Sequence, residues 1–264
     1  MHWVVQNNMF SEEGFTRLLG ALERLNVPHS LVKVVPFSHD LVWVDGGGEF
    51  DPDQGVIIMG TYTLAEIARE RGWKPGSFHN ENFDYKVQAI HWRQDMLNYE
   101  ARYSRFADVR PYWDYPFFIR PVHDTKSFIG QVMDWPSFER FRDGVLALKP
   151  EDCPTIIADT PVMIAPKREI WTETRVWMVD GRAVTASLYK FGTIKHYEER
   201  GPRTEECLFA EDLARRWQPA RAYVIDVADT QDGRKAVEVN NFNCAGFYAG
   251  DMQRLVAAVE NMTW

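Results

Sequence analysis

Cysteine is scarce in this chain of 264 residues, which has only Cys153, Cys207 and Cys244. They are odd in number, far apart in sequence and not at the spacing of metal ligands, which argues against a disulfide framework and against a zinc site. No apolar run approaches the length that spans a membrane, and the N-terminus lacks a basic region followed by an apolar stretch. We therefore expect a reducing compartment, with the cytoplasm as the location and no membrane partner.

Basic residues are also fewer than acidic ones. The chain has 30 Lys and Arg residues and 38 Asp and Glu residues, which gives a formal net charge of −8. This balance argues against general nucleic-acid binding, although it leaves room for a local basic groove. The sequence contains no Ser-His-Asp or Cys-His nucleophile pattern, no internal repeat and no low-complexity tract. An apolar content of 45% with 26% charged residues is typical of a soluble globular protein.

Three segments of different character divide the chain. Residues 1–77 alternate strand and helix patterns, which predicts a small α/β domain with parallel strands. Residues 78–114 are rich in aromatic residues, His and Asn, and we interpret them as a connector that packs against the rest. Residues 115–264 have the pattern of an antiparallel sheet with helices, so the predicted fold class is α+β.

The most informative pattern lies in residues 222–245. Two apolar strands, Tyr223–Ala228 and Ala236–Phe242, flank a turn that contains Asp232-Gly233. Asp226 interrupts the first strand and Glu238 interrupts the second. A carboxylate in an otherwise buried strand is unfavourable unless another group pairs with it.

The length of this turn decides which face of the sheet the polar side chains share. A two-residue turn would place Asp226 and Glu238 on opposite faces, whereas a three-residue loop, Gln231–Gly233 with a left-handed glycine, sets them opposite each other. Asn240, two residues further on, then shares their face. Two carboxylates and an amide oxygen suit a hard cation, Mg²⁺ first, and Mg²⁺ usually arrives with phosphate. The alternative is an ordinary half-exposed hairpin with polar positions.

A second hairpin is indicated by Asp180-Gly181 between two apolar strands. With a two-residue turn, Arg175 lies opposite Ala186 and Glu173 lies opposite Leu188. Both side chains then belong to one face of the sheet.

Lys190 lies diagonal to Glu173 in this register, so it shares the face with Glu173 and Arg175. Trp177 and Val179 lie on that face too, so we expect it to be at least partly covered. Two cations with one anion leave room for an anionic ligand. The alternative is a cross-strand salt-bridge cluster on a solvent face, which contributes little.

A further pair of cations precedes these hairpins. Arg120 interrupts the apolar strand FFIRPV, where a charge is unexpected unless it points into a site. Lys126 belongs to a polar loop in which Thr125 and Ser127 can also donate hydrogen bonds to oxyanions. Phosphate recognition and an ordinary surface loop both fit this pattern. The four cations described above, together with the two carboxylates and the amide, are the kinds of group that bind a nucleoside triphosphate and stabilise phosphoryl transfer.

These motifs resemble those of the ATP-grasp superfamily. The phrases FFIRPVHDTKSFIGQV, ETRVWMVDGRAVTASLYK and VEVNNFNCAGFY carry the likeness. They are most similar to a divergent bacterial and phage clade, which is related to the eukaryotic cell-division-cycle protein that assembles a translation initiation factor. The resemblance covers residues 115–262 by motif and the N-terminal domain by architecture. It implies an ATP-grasp fold, with two α+β subdomains that clamp ATP, preceded by a small Rossmann-like α/β domain.

The resemblance also implies roles for individual residues. Arg120 and Lys126 would bind the α and β phosphates, and Glu173 would orient Arg175 or meet the ribose. Arg175 and Lys190 would steady the γ-phosphate and an acyl phosphate. The backbone that would bind adenine belongs to Val162, Met163, Ile164 and Ala165. The Mg²⁺ ligands would be Asp226, Glu238 and Asn240.

The implied activity is that of an ATP- and Mg²⁺-dependent ligase that joins a carboxylate to an amine through an acyl phosphate and releases ADP. Its substrates would be amino acids, peptides or a protein. A non-catalytic ATP-binding assembly factor and a kinase of a small molecule or protein are the alternatives. The chain departs from many ATP-grasp enzymes in having Arg120 in place of Lys and only Gly130 in its covering loop.

Overall fold

The computed structural model describes residues 1–9, 13–36, 38–44, 46–122, 128–149, 152 and 155–263. Its helices are α1 (Glu13–Arg24), α2 (Tyr62–Glu70), α3 (Tyr85–Trp92), α4 (Trp135–Leu146), α5 (Glu205–Arg216) and α6 (Met252–Glu260). Its strands are β1 (His2–Gln6), β2 (His29–Val34), β3 (Leu41–Trp43), β4 (Val56–Met59), β5 (Pro75–Gly76), β6 (Arg102–Arg105), β7 (Phe117–Pro121), β8 (Gln131–Met133), β9 (Pro161–Pro166), β10 (Ile170–Val179), β11 (Arg182–Phe191), β12 (Ile194–Arg200), β13 (Ala222–Thr230) and β14 (Gly233–Asn241). In the part of the chain described, no helix has both the length and the apolar character needed to cross a membrane.

Contacts divide the chain into two units. The first combines Met1–Phe83 with Ile170–Trp264, and the second is Asp84–Glu169. Both contain helices and sheets, which confirms the predicted α+β class. The domain boundaries after residues 77 and 114 stay a prediction from the sequence.

The first sheet of the first unit has the strand order β3-β2-β1-β4-β5. Strand β1 is parallel to β2 and to β4, as the strand–helix alternation predicts, and β3 is antiparallel at one edge. Helix α2 begins after Thr61, whose hydroxyl accepts a hydrogen bond from the amide of Leu64 and so satisfies a free helix N–H group. Leu64 and Ile67 then pack with Val4 and Ile58 in the core on one face of this sheet.

The second sheet of this unit has the order β12-β11-β10-β13-β14, and all its neighbouring strands are antiparallel. A single apolar core joins it to the first sheet and to helices α1 and α6. This core contains Trp3, Leu18, Trp177, Phe247 and Leu255, all fully buried. Because burying a large apolar side chain stabilises the fold by roughly 1.5–3 kcal/mol, this core fixes the position of β10 and β13.

The second unit is built on the sheet β6-β9-β7-β8, whose described neighbours are all antiparallel. Phe117 and Ile119 of β7 face a core that they share with Phe138 of α4. Asp134 caps α4, since its carboxylate accepts a hydrogen bond from the amide of Ser137 at 2.8 Å. The alternating pattern of β7 leaves its other face half-exposed.

Candidate functional site

Arg175 and Asp226 form a buried ion pair at the centre of the second sheet. They lie opposite each other on β10 and β13. Arg175 donates from Nε to Oδ1 of Asp226 at 2.9 Å and from Nη2 to Oδ2 at 2.8 Å. Because an unpaired charge in this position would be strongly destabilising, each of the two charges requires the other.

The electrostatic balance around this pair is negative. Burial raises the pKa of the Asp226 carboxyl, Arg175 opposes the rise, and the nearby carboxylates of Glu238 and Glu173 add to it. Burial also lowers the pKa of Arg175, but the contact with Asp226 outweighs this and the net pKa is raised. Like-charge repulsion among these carboxylates favours an additional cation at this face.

Asp226, Glu238 and Asn240 converge, as the sequence predicts. Glu238 lies opposite Asp226 in the β13–β14 ladder. Nδ2 of Asn240 lies 3.0 Å from Oδ2 of Asp226 and 3.3 Å from Oε1 of Glu238. Rotation of the amide would present its oxygen at the same place. Two carboxylates that each lie within hydrogen-bonding distance of one amide group fit Mg²⁺, which in proteins is usually held by one or two carboxylates together with phosphate.

The shared face is confirmed, but the predicted three-residue loop is wrong. The loop between β13 and β14 consists of two residues, Gln231 and Asp232, and β14 begins at Gly233 with φ at +86°. Val237 is an extra residue in β14, and this bulge brings Glu238 opposite Asp226. Among the His, Cys, Asp and Glu residues that the structure describes, no three come together as a metal-binding group.

Strand β11 contains two extra residues relative to β10, and each one shifts the predicted pairing. Val184 is the first, so Arg175 lies opposite Ser187 rather than Ala186. A bulge leaves one residue unpaired and rotates the strand, which a count from the turn does not anticipate.

Tyr189 is the second extra residue, and it changes the chemistry of the face. Glu173 lies opposite Lys190 rather than Leu188. Nζ of Lys190 forms an ion pair with Glu173, and the Tyr189 hydroxyl donates to the other carboxylate oxygen at 2.6 Å. Burial raises the pKa of Tyr189, and the nearby carboxylates raise it further, so the hydroxyl remains a neutral donor. The common face of Glu173, Arg175 and Lys190 is therefore present, with Tyr189 added to it.

Aromatic rings cover the guanidinium of Arg175. Its central carbon lies 4.7 Å from the ring centre of Tyr248 and 5.6 Å from that of Tyr189. Nη1 of Arg175 also donates to the carbonyl of Gly246 at 3.3 Å. A guanidinium carries five N–H donors, and the described bonds to Asp226 and Gly246 use three of them. The other two can serve an anionic ligand.

The sequence assigned no role to Tyr189 or Tyr248, although both lie within the phrases that carry the family resemblance. Tyr189 precedes Lys190 directly, and alternation along a regular strand would place neighbours on opposite faces. Tyr248 follows the hairpin in the run GFYAG. The bulge at Tyr189 and the path of the run GFYAG bring these two rings to Arg175.

Arg120 and the strand predicted to bind adenine are neighbours in the second unit. Arg120 lies on β7 opposite Met163 of β9, on the half-exposed face. Its Nε donates to the carbonyl of Pro121 at 3.2 Å. Gly130 packs closely here, since a Cβ at this position would lie 2.8 Å from the Phe118 ring and 3.2 Å from Cβ of Arg120. Lys126 lies outside the described residues.

Strand β9 is an inner strand, paired with β6 on one side and with β7 on the other. Val162, Met163 and Ile164 have partners in both ladders. Ala165 pairs with Phe118 of β7, one residue beyond the last pair of the β6 ladder. Among the four predicted adenine-binding residues, Ala165 is therefore the one that pairs with β7 but has no partner in the described ladder with β6.

Comparison with protein families identifies the one to which the chain belongs. The model of an ATP-grasp domain, family 3 of the clade designated R-2-K, matches residues 60–259. No curated protein sequence matches the chain.

Among solved structures, the chain is similar to the ATP-grasp ligase PsnB complexed with a phosphomimetic variant of its minimal precursor, Mg and ADP. The identity is 12%, the TM-score is 0.58, and 98% of each chain is covered. The macrocyclase MdnC bound with precursor peptide MdnA, from Microcystis aeruginosa MRC, is 10% identical, with a TM-score of 0.60 and 100% of each chain covered. D-alanine–D-alanine ligase from Bacillus anthracis is 12% identical, with a TM-score of 0.58 over 98% of this chain and 96% of that one. At these identities the likeness shows a common fold.

Proposed function

Because the chain belongs to this third family of the R-2-K clade of ATP-grasp domains, we propose that it is an ATP- and Mg²⁺-dependent ligase that joins a carboxylate to an amine. The observation that carries this proposal is the set of opposite charges on one face of the second sheet. Arg175 and Lys190 supply cations for phosphate, and Asp226 with Glu238 and Asn240 supplies oxygen ligands for Mg²⁺. The structural neighbours include a ligase and a macrocyclase, each solved with a precursor peptide, which supports amino acids, peptides or a protein as the substrate class.

Nucleotide binding is assigned to the residues of the second unit and the loop that follows β7. Arg120 and Lys126 would bind the α and β phosphates, since guanidinium and ammonium groups form charge-assisted hydrogen bonds with phosphate oxygens. Adenine would meet the strand Val162–Ala165 at Ala165, where the pairing with β6 ends. A neutral purine needs only backbone donors and acceptors with apolar walls, and the strand is apolar throughout.

Mg²⁺ would be held by Asp226, Glu238 and Asn240, and when bound it would neutralise charge on the β and γ phosphates. Asp226 also accepts two hydrogen bonds from Arg175. A carboxylate has lone pairs for both tasks, so the ion pair and a metal contact are compatible. Glu173 would hold Lys190 in place through the ion pair between them.

The proposed reaction has two steps. A carboxylate oxygen of the substrate attacks the γ-phosphorus, the bond between that phosphorus and the ADP oxygen breaks, and an acyl phosphate forms. The amine then attacks the acyl carbon, inorganic phosphate leaves with the bonding electron pair, and the amine nitrogen loses a proton. Arg175 and Lys190 would stabilise the negative charge on the transferred phosphoryl group in both steps.

The experiment that tests this proposal traps the acyl phosphate. The protein is incubated with Mg²⁺, ATP and a panel of amino acids and short peptides, with hydroxylamine as the amine. We expect a hydroxamate to form in proportion to the ADP released. A stable phosphorylated product without hydroxamate would identify a kinase. Tight ATP binding without ADP release across the panel would instead favour an assembly factor, as the resemblance to the eukaryotic assembly protein suggests.

A further inference from the structure

Three tyrosine rings form a stack beside the buried ion pair. The ring centre of Tyr248 lies 4.8 Å from that of Tyr189, with 13° between the planes, and 5.3 Å from that of Tyr197, with 20° between the planes. We call Tyr189, Tyr197 and Tyr248 the tyrosine wall. Tyr197 lies on the edge strand β12, and 55% of its surface is exposed. The wall therefore runs from the covered guanidinium of Arg175 to solvent.

The middle ring of the wall is held in an unusual backbone conformation. Tyr248 has φ at +46°, in the left-handed region, which is unfavourable for a residue with a side chain. A side-chain nitrogen of Arg17 donates to the carbonyl of Tyr248, and Oγ of Ser187 accepts from the amide of Ala249 at 3.1 Å. These hydrogen bonds hold the backbone at Tyr248, and with it the position of the ring, before a ligand binds. Backbone strain of this kind concentrates at functional sites.

Contact with Arg175 accounts for two of the three rings of the tyrosine wall. The cation–π contacts that the structure describes for Arg175 are those with Tyr189 and Tyr248. Tyr197 extends the stack by a further ring on a strand whose residues are mostly exposed. An exposed aromatic surface next to reactive groups is typical of a recognition surface, where rigid rings give contact area at small entropic cost.

The charges around the wall select the ligand. The guanidinium of Arg175 already lies over the rings of Tyr248 and Tyr189, so the cation–π contact of these two rings is taken. The additional cation that the carboxylates favour belongs beside Asp226 and Glu238 rather than over the rings. An uncharged planar ring can stack on the exposed tyrosine at the end of the wall. We propose that the tyrosine wall, with Tyr197 as its open end, binds an uncharged aromatic side chain of the substrate. This deepens the proposed ligase function and rests on it.

The test compares two amino acids that differ only in the ring. L-phenylalanine has a planar aromatic ring, whereas L-cyclohexylalanine has the same carbon skeleton with a saturated ring and no π system. Each carries both a carboxylate and an amine, so each can occupy either substrate position. Saturation-transfer NMR measures their binding to the full chain with Mg²⁺ and a non-hydrolysable ATP analogue, whose own binding is recorded in the same samples.

We expect wild-type protein to bind phenylalanine more tightly than cyclohexylalanine, by roughly three- to tenfold, the range of an aromatic pair. Tyr197→Ala should remove this preference and Tyr197→Phe should retain it. Tyr99→Ala serves as the control, because Tyr99 is a similarly exposed tyrosine in the other unit, 47% exposed. It should leave the preference unchanged.

Two results would overturn the proposal, and they differ in meaning. If the nucleotide analogue binds but the two amino acids bind equally, or if Tyr197→Ala keeps the preference, the tyrosine wall is structural and the ligase proposal stands. If the analogue fails to bind to wild-type protein in the presence of Mg²⁺, the proposed function fails as well.

Discussion

Arg175 and Asp226 repeat, in the interior, the geometry that Arg221 and Asp180 show at the surface. Both arginines bind their partner carboxylates through Nε and Nη2, at 2.9 and 2.8 Å in the first pair and at 2.7 and 2.6 Å in the second. The side chains of the interior pair are 9% and 3% exposed, whereas those of the surface pair are 41% and 44% exposed. The chain therefore contains a matched control for the effect of burial on an ion pair.

Arg175→Met should lower the free energy of unfolding by about 3–5 kcal/mol, because it leaves the Asp226 carboxylate buried without its partner. Arg221→Met, which breaks the exposed pair, should lower it by no more than about 1 kcal/mol. Chemical denaturation of both variants at pH 7 measures the difference. Equal losses would show that burial of the Arg175–Asp226 pair has no energetic consequence.

The loss in Arg175→Met should depend on pH. Burial already raises the folded-state pKa of Asp226 above its ordinary 3.8, and removal of the guanidinium would raise it further. A carboxyl whose folded-state pKa exceeds its unfolded-state pKa destabilises the fold progressively as the pH rises from the unfolded-state value to the folded-state value. The free energy of unfolding of the variant should therefore lie further below that of wild type at pH 8 than at pH 5. A larger deficit at pH 5 than at pH 8 would contradict this assignment.

The double variant Asp226→Asn with Glu238→Gln should abolish the Mg²⁺ dependence of ATP binding, because amides lack the charge that holds a hard cation. Isothermal titration with ATP, with and without Mg²⁺, measures the effect. Asp232→Asn, in the loop of the same hairpin, is the control and should bind as wild type does. Unchanged Mg²⁺ dependence in the double variant would remove the metal assignment.

Arg120→Gln and Lys126→Ala should each weaken ATP binding by roughly ten- to a hundredfold, since a charge-assisted hydrogen bond contributes roughly 1.5–3 kcal/mol. Thermal unfolding without nucleotide should be close to that of wild type for both. Lys33→Ala, at an exposed position of β2, is the matched cation control. If either site variant binds ATP with wild-type affinity, that side chain does not contact the phosphates.

Two glycines of helix α1 should respond in opposite directions to alanine. A Cβ at Gly14 would lie 2.5 Å from Cβ of Phe247, so Gly14→Ala should destabilise the fold by about 1–3 kcal/mol and displace the run that carries Tyr248. A Cβ at Gly20 would meet only the flexible end of Arg24, so Gly20→Ala should stabilise it by up to about 1 kcal/mol. Chemical denaturation separates the two, and a stabilised Gly14→Ala would contradict the close packing.

Alternation of apolar and polar residues was sufficient to predict the elements that surround the site. It predicted the parallel strands of the first sheet and both hairpins of the second, which depend on local periodicity and turn chemistry. The convergence of Asp226, Glu238 and Asn240 was predicted from a three-residue loop and arises instead from the bulge at Val237 in a hairpin with a two-residue loop.

The bulges could not be predicted in the same way. Val184, Tyr189 and Val237 are apolar or aromatic residues within apolar strands, and none of them is a glycine or proline that would mark an irregularity. The predicted partners of Arg175 and Glu173 were wrong for this reason. The role of Tyr248 depends on packing between α1 and a distant segment, which periodicity along one element does not encode.

Measurement of ADP and amide product in one reaction is the direct test of the proposed ligase activity. The protein is supplied with Mg²⁺, ATP, and a mixture of amino acids and short peptides, and the products are quantified by mass spectrometry. We expect one ADP for each new amide bond, and no turnover in the double variant of Asp226 and Glu238. ATP bound without any amide product, or ADP released with a stable phosphorylated product, would contradict it.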